Sequence, residues 1–352
     1  MLENKSKKFI QIIQASIKEF NMLAQNDSVL ASVSGGSDSI ALVLSLKELK
    51  DKYNLKKIGI AHLNHNLRSK ESLRDQLFVK NFAQKLNLPF YCTKEDTRNY
   101  AKKNGLSIEQ AGRKLRYDFF KHLSLKHKFT KIATGHTKDD NAELVLMNIF
   151  RGSGTKGLAG IPPVRNNMVI RPMIRNSKKQ ILSFLKAYTQ EFVFDSSNMD
   201  ELYLRNKIRN KMIPYLKKEY NPKIIDSLNK TSDILRIENE YLDLKTKKKF
   251  EKCLIKTTDS LVIFSKLKLS KLHTSILNRV VRLAIQKLKT NLKQISFVHI
   301  KDIKEFCFKR YSGSSLDLPG QIRVYKKKDL IVFKKEKKPL RQLKMTNFFL
   351  NI

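Results

Sequence analysis

The sequence predicts an α/β protein, a doubly wound parallel sheet followed by a helical domain and a small C-terminal module containing β-structure. Three observations lead there. Short apolar, β-branched runs alternate with longer stretches of helical apolar spacing between residues 28 and 190. The first run, at Val29 to Val33, feeds directly into a turn with two glycines and then a helix, and residues from Pro214 to Thr290 are rich in Leu, Ile and Lys at helical spacing.

Taken in order, the N-terminal 23 residues interleave Lys, Gln, Ser and Glu with apolar positions, which predicts an amphipathic helix rather than a signal peptide. After the first strand, Ile40 to Leu46 begins a helix that runs to about Lys52. Lys57 to Leu63 reads as a second buried strand, Lys70 to Leu86 as a helix, and Phe90 to Thr93, after Pro89, as a third strand. Ser107 to His127 is a long helix opened by a capping box, Ser107-Ile108-Glu109-Gln110. Lys131 to Gly135 is the fourth strand and Lys138 to Phe150 the next helix. The glycine-rich stretch 151–160 reads equally as a mobile substrate loop or a linker. Met168 to Ile174, with Arg171-Pro172, looks like an edge strand, and Ser177 to Gln190 like a helix that closes the first domain. Toward the end, Ile322 to Tyr325 and Leu330 to Phe333 predict a hairpin turning at Lys326 to Asp329. The expected domains are 1–205, 206–295 and 296–352.

The turn after the first strand, Ser34-Gly35-Gly36-Ser37-Asp38-Ser39, is the strongest site signal. It sits where a strand meets a helix N-terminus, whose free amides and dipole favour an anion. Unlike the GxxxxGK[ST] loop it carries no lysine and places Asp38 among the phosphates. An acid there needs a cation, so Asp38 is read as a Mg²⁺ ligand beside a polyphosphate. The second strand ends in His62-Leu63-Asn64-His65-Asn66-Leu67-Arg68, and the fourth leads to His136, Asp139, Asp140 and Glu143. On a helix starting near Lys138, the acids fall three or four residues apart and can share one pocket, which makes Asp140 a second Mg²⁺ candidate.

Composition names the partner class. The 352 residues hold 71 Lys and Arg against 32 Asp and Glu, a formal charge of +39, which points to a polyanion. Residues 1–200 carry net +16 and residues 201–352 net +23, so the C-terminal part is expected to grip much of the phosphate backbone. Arg205 and Arg209 lie one helical turn apart, a spacing suited to phosphates. The three cysteines, Cys92, Cys253 and Cys307, are too dispersed for a disulfide framework or a CxxC motif, and a reducing cytoplasm fits. No run approaches the ~20 apolar residues that span a bilayer. The oligomeric state is left open, a homodimer being one arrangement the sequence allows.

The serine-glycine-glycine-x-aspartate-serine string resembles the loop of the PP-loop ATP pyrophosphatases, the adenine nucleotide α-hydrolase-like fold, which split ATP between its α and β phosphates. Further segments resemble the tRNA(Ile)-lysidine synthetases within that superfamily. They are the HLNHNLR stretch with Ser72, Glu109 with Arg113, Arg116 and Tyr117, His136 with Asp139, Asp140 and Glu143, the Arg151 to Gly154 turn, and Asp195-Ser196-Ser197-Asn198 leading to Arg205 and Arg209. The resemblance implies ATP-dependent adenylation of the C2 oxygen of the wobble cytidine in a CAU-anticodon isoleucine tRNA, followed by attack of the L-lysine side-chain amine and release of AMP. It also implies that His62 and Asn64 join residues Ser34, Gly35, Gly36, Ser37, Asp38 and Ser39 in holding ATP. His65, Arg68, Arg113, Arg116, Arg205 and Arg209 would position phosphates or RNA, and His136 or Glu143 would serve as base. Two departures stand out: Leu144 follows the glutamate where threonine is usual, and Gly112 stands where alanine is more usual. The rival readings are a tRNA cytidine 2-thiolation enzyme, which needs cysteines near the site, an ammonia-using synthetase, and a non-catalytic basic tRNA-binding protein.

Overall fold

A computed structural model of the chain describes residues 2–67, 69–194 and 204–337. Two compact units are evident, residues 1–236 and 237–352. The boundary between the two units falls inside a long helix, Ile224–Cys253.

The first unit is built on a six-stranded sheet among the described residues. Its elements are α1 (Leu2–Glu19), β1 (Ser28–Ser32), α2 (Ser37–Glu48), β2 (Lys57–Asn64), α3 (Ser69–Lys85), β3 (Phe90–Lys94), α4 (Thr97–Asn104), α5 (Ile108–His127), β4 (Lys131–Ala133), α6 (Lys138–Phe150), α7 (Thr155–Leu158), β5 (Val164–Arg165), β6 (Val169–Ile170) and α8 (Lys178–Ala187). The strand order is β3-β2-β1-β4-β6-β5, parallel except for β5. Strands β1 and β2 are buried almost throughout, as a parallel sheet covered on both faces requires. Helices α1, α2, α3 and α8 supply the core on one face, where Phe9 stacks on Phe184, and Phe120 and Leu123 of α5 cover Leu30, Ala61 and Ile132 on the other. The expected edge strand corrects to an inner one. Only Val169–Ile170 is strand, and the antiparallel β5 lies outside it.

The strand order reverses on either side of β1, with β2 and β3 running off one way and β4 and β6 the other. Parallel sheets bind ligands at such a switch point, beyond the strand C-terminal ends. That crevice receives the turn after β1 and the Gly135–Glu143 segment after β4.

The unit continues through α9 (Leu204–Lys207), a five-residue π-helical turn (Ile208–Met212), α10 (Ile213–Glu219) and the start of α11 (Ile224–Cys253). Pro214 near the start of α10 lacks an amide for the helical ladder, and the wider turn just before it accommodates the loss. Ile208, Ile213 and Ile225 pack on Ala142 and Leu146 of α6, which brings this segment to the crevice.

The stretch expected to be helical to Thr290 instead contains a strand pair, β7 (Leu254–Thr257) and β8 (Leu261–Ser265). In the second unit these join β9 (Ser315–Leu318), β10 (Ile322–Lys327) and β11 (Leu330–Lys335) in an antiparallel sheet of order β7-β8-β11-β10-β9. The expected hairpin is present, closed by Lys328 and Asp329 with Lys328 at φ 45°. Helices α12 (Lys266–Ser270), α13 (Thr274–Lys289) and α14 (Phe297–Lys309) complete a core around Phe250, Phe264 and Phe333. No helix among the described residues is long and apolar enough to cross a membrane.

Candidate active site

The turn after β1 is knotted by one hydroxyl. Ser39 Oγ donates to the Gly36 carbonyl at 2.8 Å and accepts from the amides of Ser34 and Gly35 at 3.2 and 3.3 Å. Gly35 sits at φ 98°, where a side chain would be strained. Gly36 is the N-cap of α2 and no side chain caps the helix; its carbonyl takes the Ser39 and Ile40 amides, so the Ser37 and Asp38 amides are the ones offered to an anion.

The lysine missing from this loop arrives from another helix. Lys178, at the start of α8, donates to Ser37 Oγ at 2.7 Å and to Asp38 Oδ1 at 2.5 Å. Its backbone is fixed by Asp139, whose carboxylate accepts the Lys178 amide at 2.8 Å, and by a Ser177–Gln180 capping box. Asp139 therefore ties α6 to α8, a different task from that of its neighbour Asp140. Burial raises the Asp38 pKa above its ordinary value; Lys178 opposes this, while the nearby Asp140 charge adds to it.

Asp140 and Glu143 form a grid with Arg205 and Arg209. Arg205 donates from Nε to Glu143 at 2.8 Å and from Nη2 to Asp140 at 2.7 Å. Arg209 grips Glu143 with a fork, Nε at 2.6 Å and Nη2 at 2.9 Å, and reaches Asp140 at 3.2 Å. Burial is the largest single influence and disfavours the Asp140 charge, but Arg205, first among several groups that include the Thr137 amide and Arg209, joins them in outweighing it and holding the pKa below the usual value. The other Asp140 oxygen accepts from the Thr137 amide and hydroxyl in a capping box, which fixes the start of α6. The spacing of the two arginines was legible, but their partners here are the site's own carboxylates.

Gly135 lets the end of β4 lie against the loop helix, since a β-carbon there would meet the Asp38 carbonyl carbon and oxygen at 3.2 Å. His136 follows, its Nδ1 3.0 Å from Thr134 Oγ1, and burial pushes its pKa down to about 4, so the ring is neutral at physiological pH.

At the end of β2, His62 Nδ1 donates to the Val33 carbonyl at 2.9 Å, and burial lowers its pKa. Asn64 is committed to protein partners, donating to Gln76 at 2.8 Å and accepting from the Asn66 amide at 2.9 Å, so it shapes the loop expected to hold ATP. Arg116 donates to His65 Nε2 at 3.2 Å, which leaves Nδ1–H to donate to Thr97 at 3.0 Å; burial and the Arg116 charge lower the His65 pKa to about 4. Gly112 lies beneath that ring, where a β-carbon would come within 3.2 Å of it. Arg113 lies over the Tyr117 ring at 5.1 Å. Arg68 and the Asp195–Asn198 segment lie outside the described residues.

The crevice thus joins an uncapped, glycine-bearing helix start to three carboxylates, Asp38, Asp140 and Glu143, a neutral imidazole and three cationic side chains. Among the described residues no three His, Cys, Asp or Glu stand close enough for an all-protein metal cage. Asp38 and Asp140 are the carboxylates that a Mg²⁺ completed by phosphate oxygens would draw on here; burial, with a smaller contribution from the Asp140 charge, raises the Asp38 pKa, and Asp140 already accepts from Arg205, Arg209 and Thr137.

Residues 5–216 match the PP-loop domain family. The chain is 40% identical over 314 residues to the tRNA(Ile)-lysidine synthase of Clostridium tetani, covering 89% of this chain and 66% of that protein. It is 36% identical over 329 residues to the tRNA(Ile)-lysidine synthase of Caldanaerobacter subterraneus subsp. tengcongensis, covering 93% and 69%. It therefore spans about 66% of the length of the first curated relatives it matches. Among solved structures, a U34-tRNA thiolase from Methanococcus maripaludis shares the fold, with a TM-score of 0.54 at 18% identity over 65% of this chain and 80% of that one.

Proposed function

The chain belongs to the tRNA(Ile)-lysidine synthase family, and on that premise we propose that it ligates L-lysine to C2 of the wobble cytidine in a CAU-anticodon isoleucine tRNA, using ATP. The observation that carries the reading is the convergence of the Asp38 loop with His136, Asp140 and Glu143 in the β1/β4 crevice.

In this reading the first-turn amides of α2, with Ser37 and Lys178, bind the ATP phosphates, and Asn64 shapes the neighbouring wall. Asp38 and Asp140 would hold a Mg²⁺, and that ion would supply charge screening for the polyphosphate and its pyrophosphate leaving group. Cytidine O2 attacks the α-phosphorus as the bond to the β-phosphate oxygen breaks. The lysine amine then attacks C2, the C2–O bond breaks, and AMP leaves. Cytosine C2 is a poor electrophile until its oxygen becomes this leaving group. The amine sheds a proton as it bonds, and the neutral His136 is better placed to accept it than Glu143, whose oxygens are already held by two guanidinia. Arg113, Arg116 and His65, with Arg68, orient RNA. Arg205 and Arg209 hold the carboxylates in place beside the incoming phosphates. The strongly basic region after residue 236 adds sequence-independent grip on the tRNA. The reading assigns the chain to the cytoplasm and is compatible with a homodimer.

The test incubates the purified chain with ATP, Mg²⁺, radiolabelled lysine and either an unmodified CAU-anticodon isoleucine tRNA or methionine tRNA. Label in the isoleucine tRNA alone is expected. AMP release without label would require another nucleophile, and no AMP at all would leave a binding protein.

A further inference from the structure

Arg113, assigned above to RNA, belongs to a cationic cluster beside the crevice whose other members, Arg165, Arg171 and Tyr117, the proposed chemistry does not use. Arg171 lies immediately past the C-terminal end of β6, in the row next to Thr134 of the β4 end, because Ile170 accepts the Thr134 amide at 3.0 Å. Its side chain is 2% exposed. Nη1 donates to the Pro162 carbonyl at 2.5 Å, and Nε is buried without any hydrogen-bond partner. Tyr117 of α5 stands next to it, and the guanidinia of Arg113 and Arg165 lie 5.1 and 5.8 Å from the Tyr117 ring centre.

Among the described residues no carboxylate forms an ion pair with the buried Arg171 or with its exposed neighbours Arg113 and Arg165, whereas Arg175, Arg205 and Arg209 of this unit are paired with acids. An arginine keeps its charge when buried, so Arg171 is repelled by the two solvent-facing guanidinia beside it. Burial lowers the Arg171 pKa, and the charges of Arg113 and Arg165 lower it further. Stability of the fold does not call for this arrangement, since Arg165 reaches solvent and contributes no core.

We propose that Arg113, Arg165 and Arg171, arranged around Tyr117, bind one phosphate group, and that in the tRNA reaction this is a phosphodiester of the anticodon loop next to the wobble nucleotide. Planar guanidinia match phosphate oxygens two at a time, and the cluster lies on the ligand-binding edge of the sheet. The assignment to RNA rests on the lysidine reading; the assignment to phosphate does not. ATP is the other source of the same chemistry.

The test uses the full chain with Arg165→Gln, a surface change that leaves the buried Arg171 in place, and measures tRNA affinity across a salt series together with the KM values for ATP and lysine. Expected is a loss in tRNA affinity of about 3- to 10-fold, with the slope of log affinity against log salt shallower by about 0.7–0.9, and unchanged ATP and lysine KM values. Arg165→Lys should restore most of the salt slope. A raised KM for ATP with unchanged tRNA affinity would keep the phosphate site and assign it to the nucleotide. No change in either affinity, or a raised KM for lysine alone, would overturn the proposal. Failure of the wild-type chain to incorporate lysine, while Arg165→Gln still weakens tRNA binding, would sink the lysidine reading and leave the phosphate site standing.

Discussion

Lys178 and Asp38, 140 positions apart in sequence, meet at 2.5 Å at the turn between β1 and α2. The lysine lowers the pKa that burial and Asp140 raise, and its ammonium also touches Ser37. Lys178→Ala is therefore expected to cut kcat/KM for ATP on the order of 10²-fold, the scale of losing one charged donor to a phosphoryl transition state. With the ammonium gone the Asp38 pKa rises further, so the acid limb of the pH–rate profile should move to higher pH. Lys178→Arg should keep that limb near its original position. Steady-state ATP consumption with tRNA present, measured across pH, reads both effects, and an unmoved limb in the alanine variant would contradict the electrostatic role.

The strand–turn–helix that carries Gly35, Gly36 and Asp38 was legible in the sequence, because two glycines and an acid between a buried strand and a helix mark such a junction at one place. Lys178 was not legible. It is one lysine among many in the chain and reaches the loop only because Asp139 and Ser177 fix the start of α8. Arg205 and Arg209 were visible as a cationic pair, yet spacing along a helix does not distinguish an external phosphate from the internal Asp140 and Glu143 that they grip. The β7–β8 pair was read as helix because its apolar residues sit in a Leu- and Lys-rich context that also satisfies a helical period. The turn at Thr258-Asp259-Ser260 and the β-branched Val262-Ile263 were the signals against that. Asn64 shows a related limit: it stands at the right strand end, but its side chain is spent on Gln76 and Asn66.

Stability should fall on mild acidification. His136 and His65 both have folded-state pKa values of about 4, below the ordinary value of 6.5. A depressed histidine pKa means that the unfolded chain binds the proton more readily, so stability is complete above pH 6.5 and is lost progressively as pH falls toward 4. Allowing for solvent screening, His136 is expected to contribute about 1–2 kcal/mol of that loss. Thermal melts of the wild type and His136→Gln between pH 7.5 and 4.5 test this. The variant's melting temperature should depend less steeply on pH, and parallel curves would refute the assignment.

The fork from Arg209 to Glu143 is the most geometrically defined ion pair in the crevice, and Glu143 is 1% exposed. Removing the arginine leaves that carboxylate with Arg205 alone. Arg209→Ala should destabilise the fold by about 1–3 kcal/mol, whereas adding Glu143→Gln to it should recover part of the loss by removing the unpaired charge. Chemical denaturation of both single variants and the double variant gives the coupling energy. Strictly additive effects would mean that the fork is not the unit of stabilisation.

Two glycines of the site differ in what surrounds them, and alanine should separate them. At Gly135 a β-carbon would meet the Asp38 carbonyl carbon and oxygen at 3.2 Å and the Ser39 amide at 3.3 Å, all backbone atoms of the helix start proposed to bind phosphate. They can yield only by displacing α2 from β4. Gly135→Ala is expected to cost about 1–3 kcal/mol of stability, as overpacking does, and to raise the KM for ATP. At Gly112 the nearest atom belongs to the His65 ring at 3.2 Å, a side chain that can shift by a few tenths of an ångström. Gly112→Ala also favours helix α5 by up to ~1 kcal/mol through backbone propensity, so the two contributions should nearly cancel. Its trace should appear in the His65 contact with Arg116, as weaker tRNA binding with an unaltered KM for ATP. Calorimetry and ATP and tRNA titrations on the two variants distinguish these outcomes, and equal KM values for ATP in both would disconnect the Gly135 contact from the nucleotide loop.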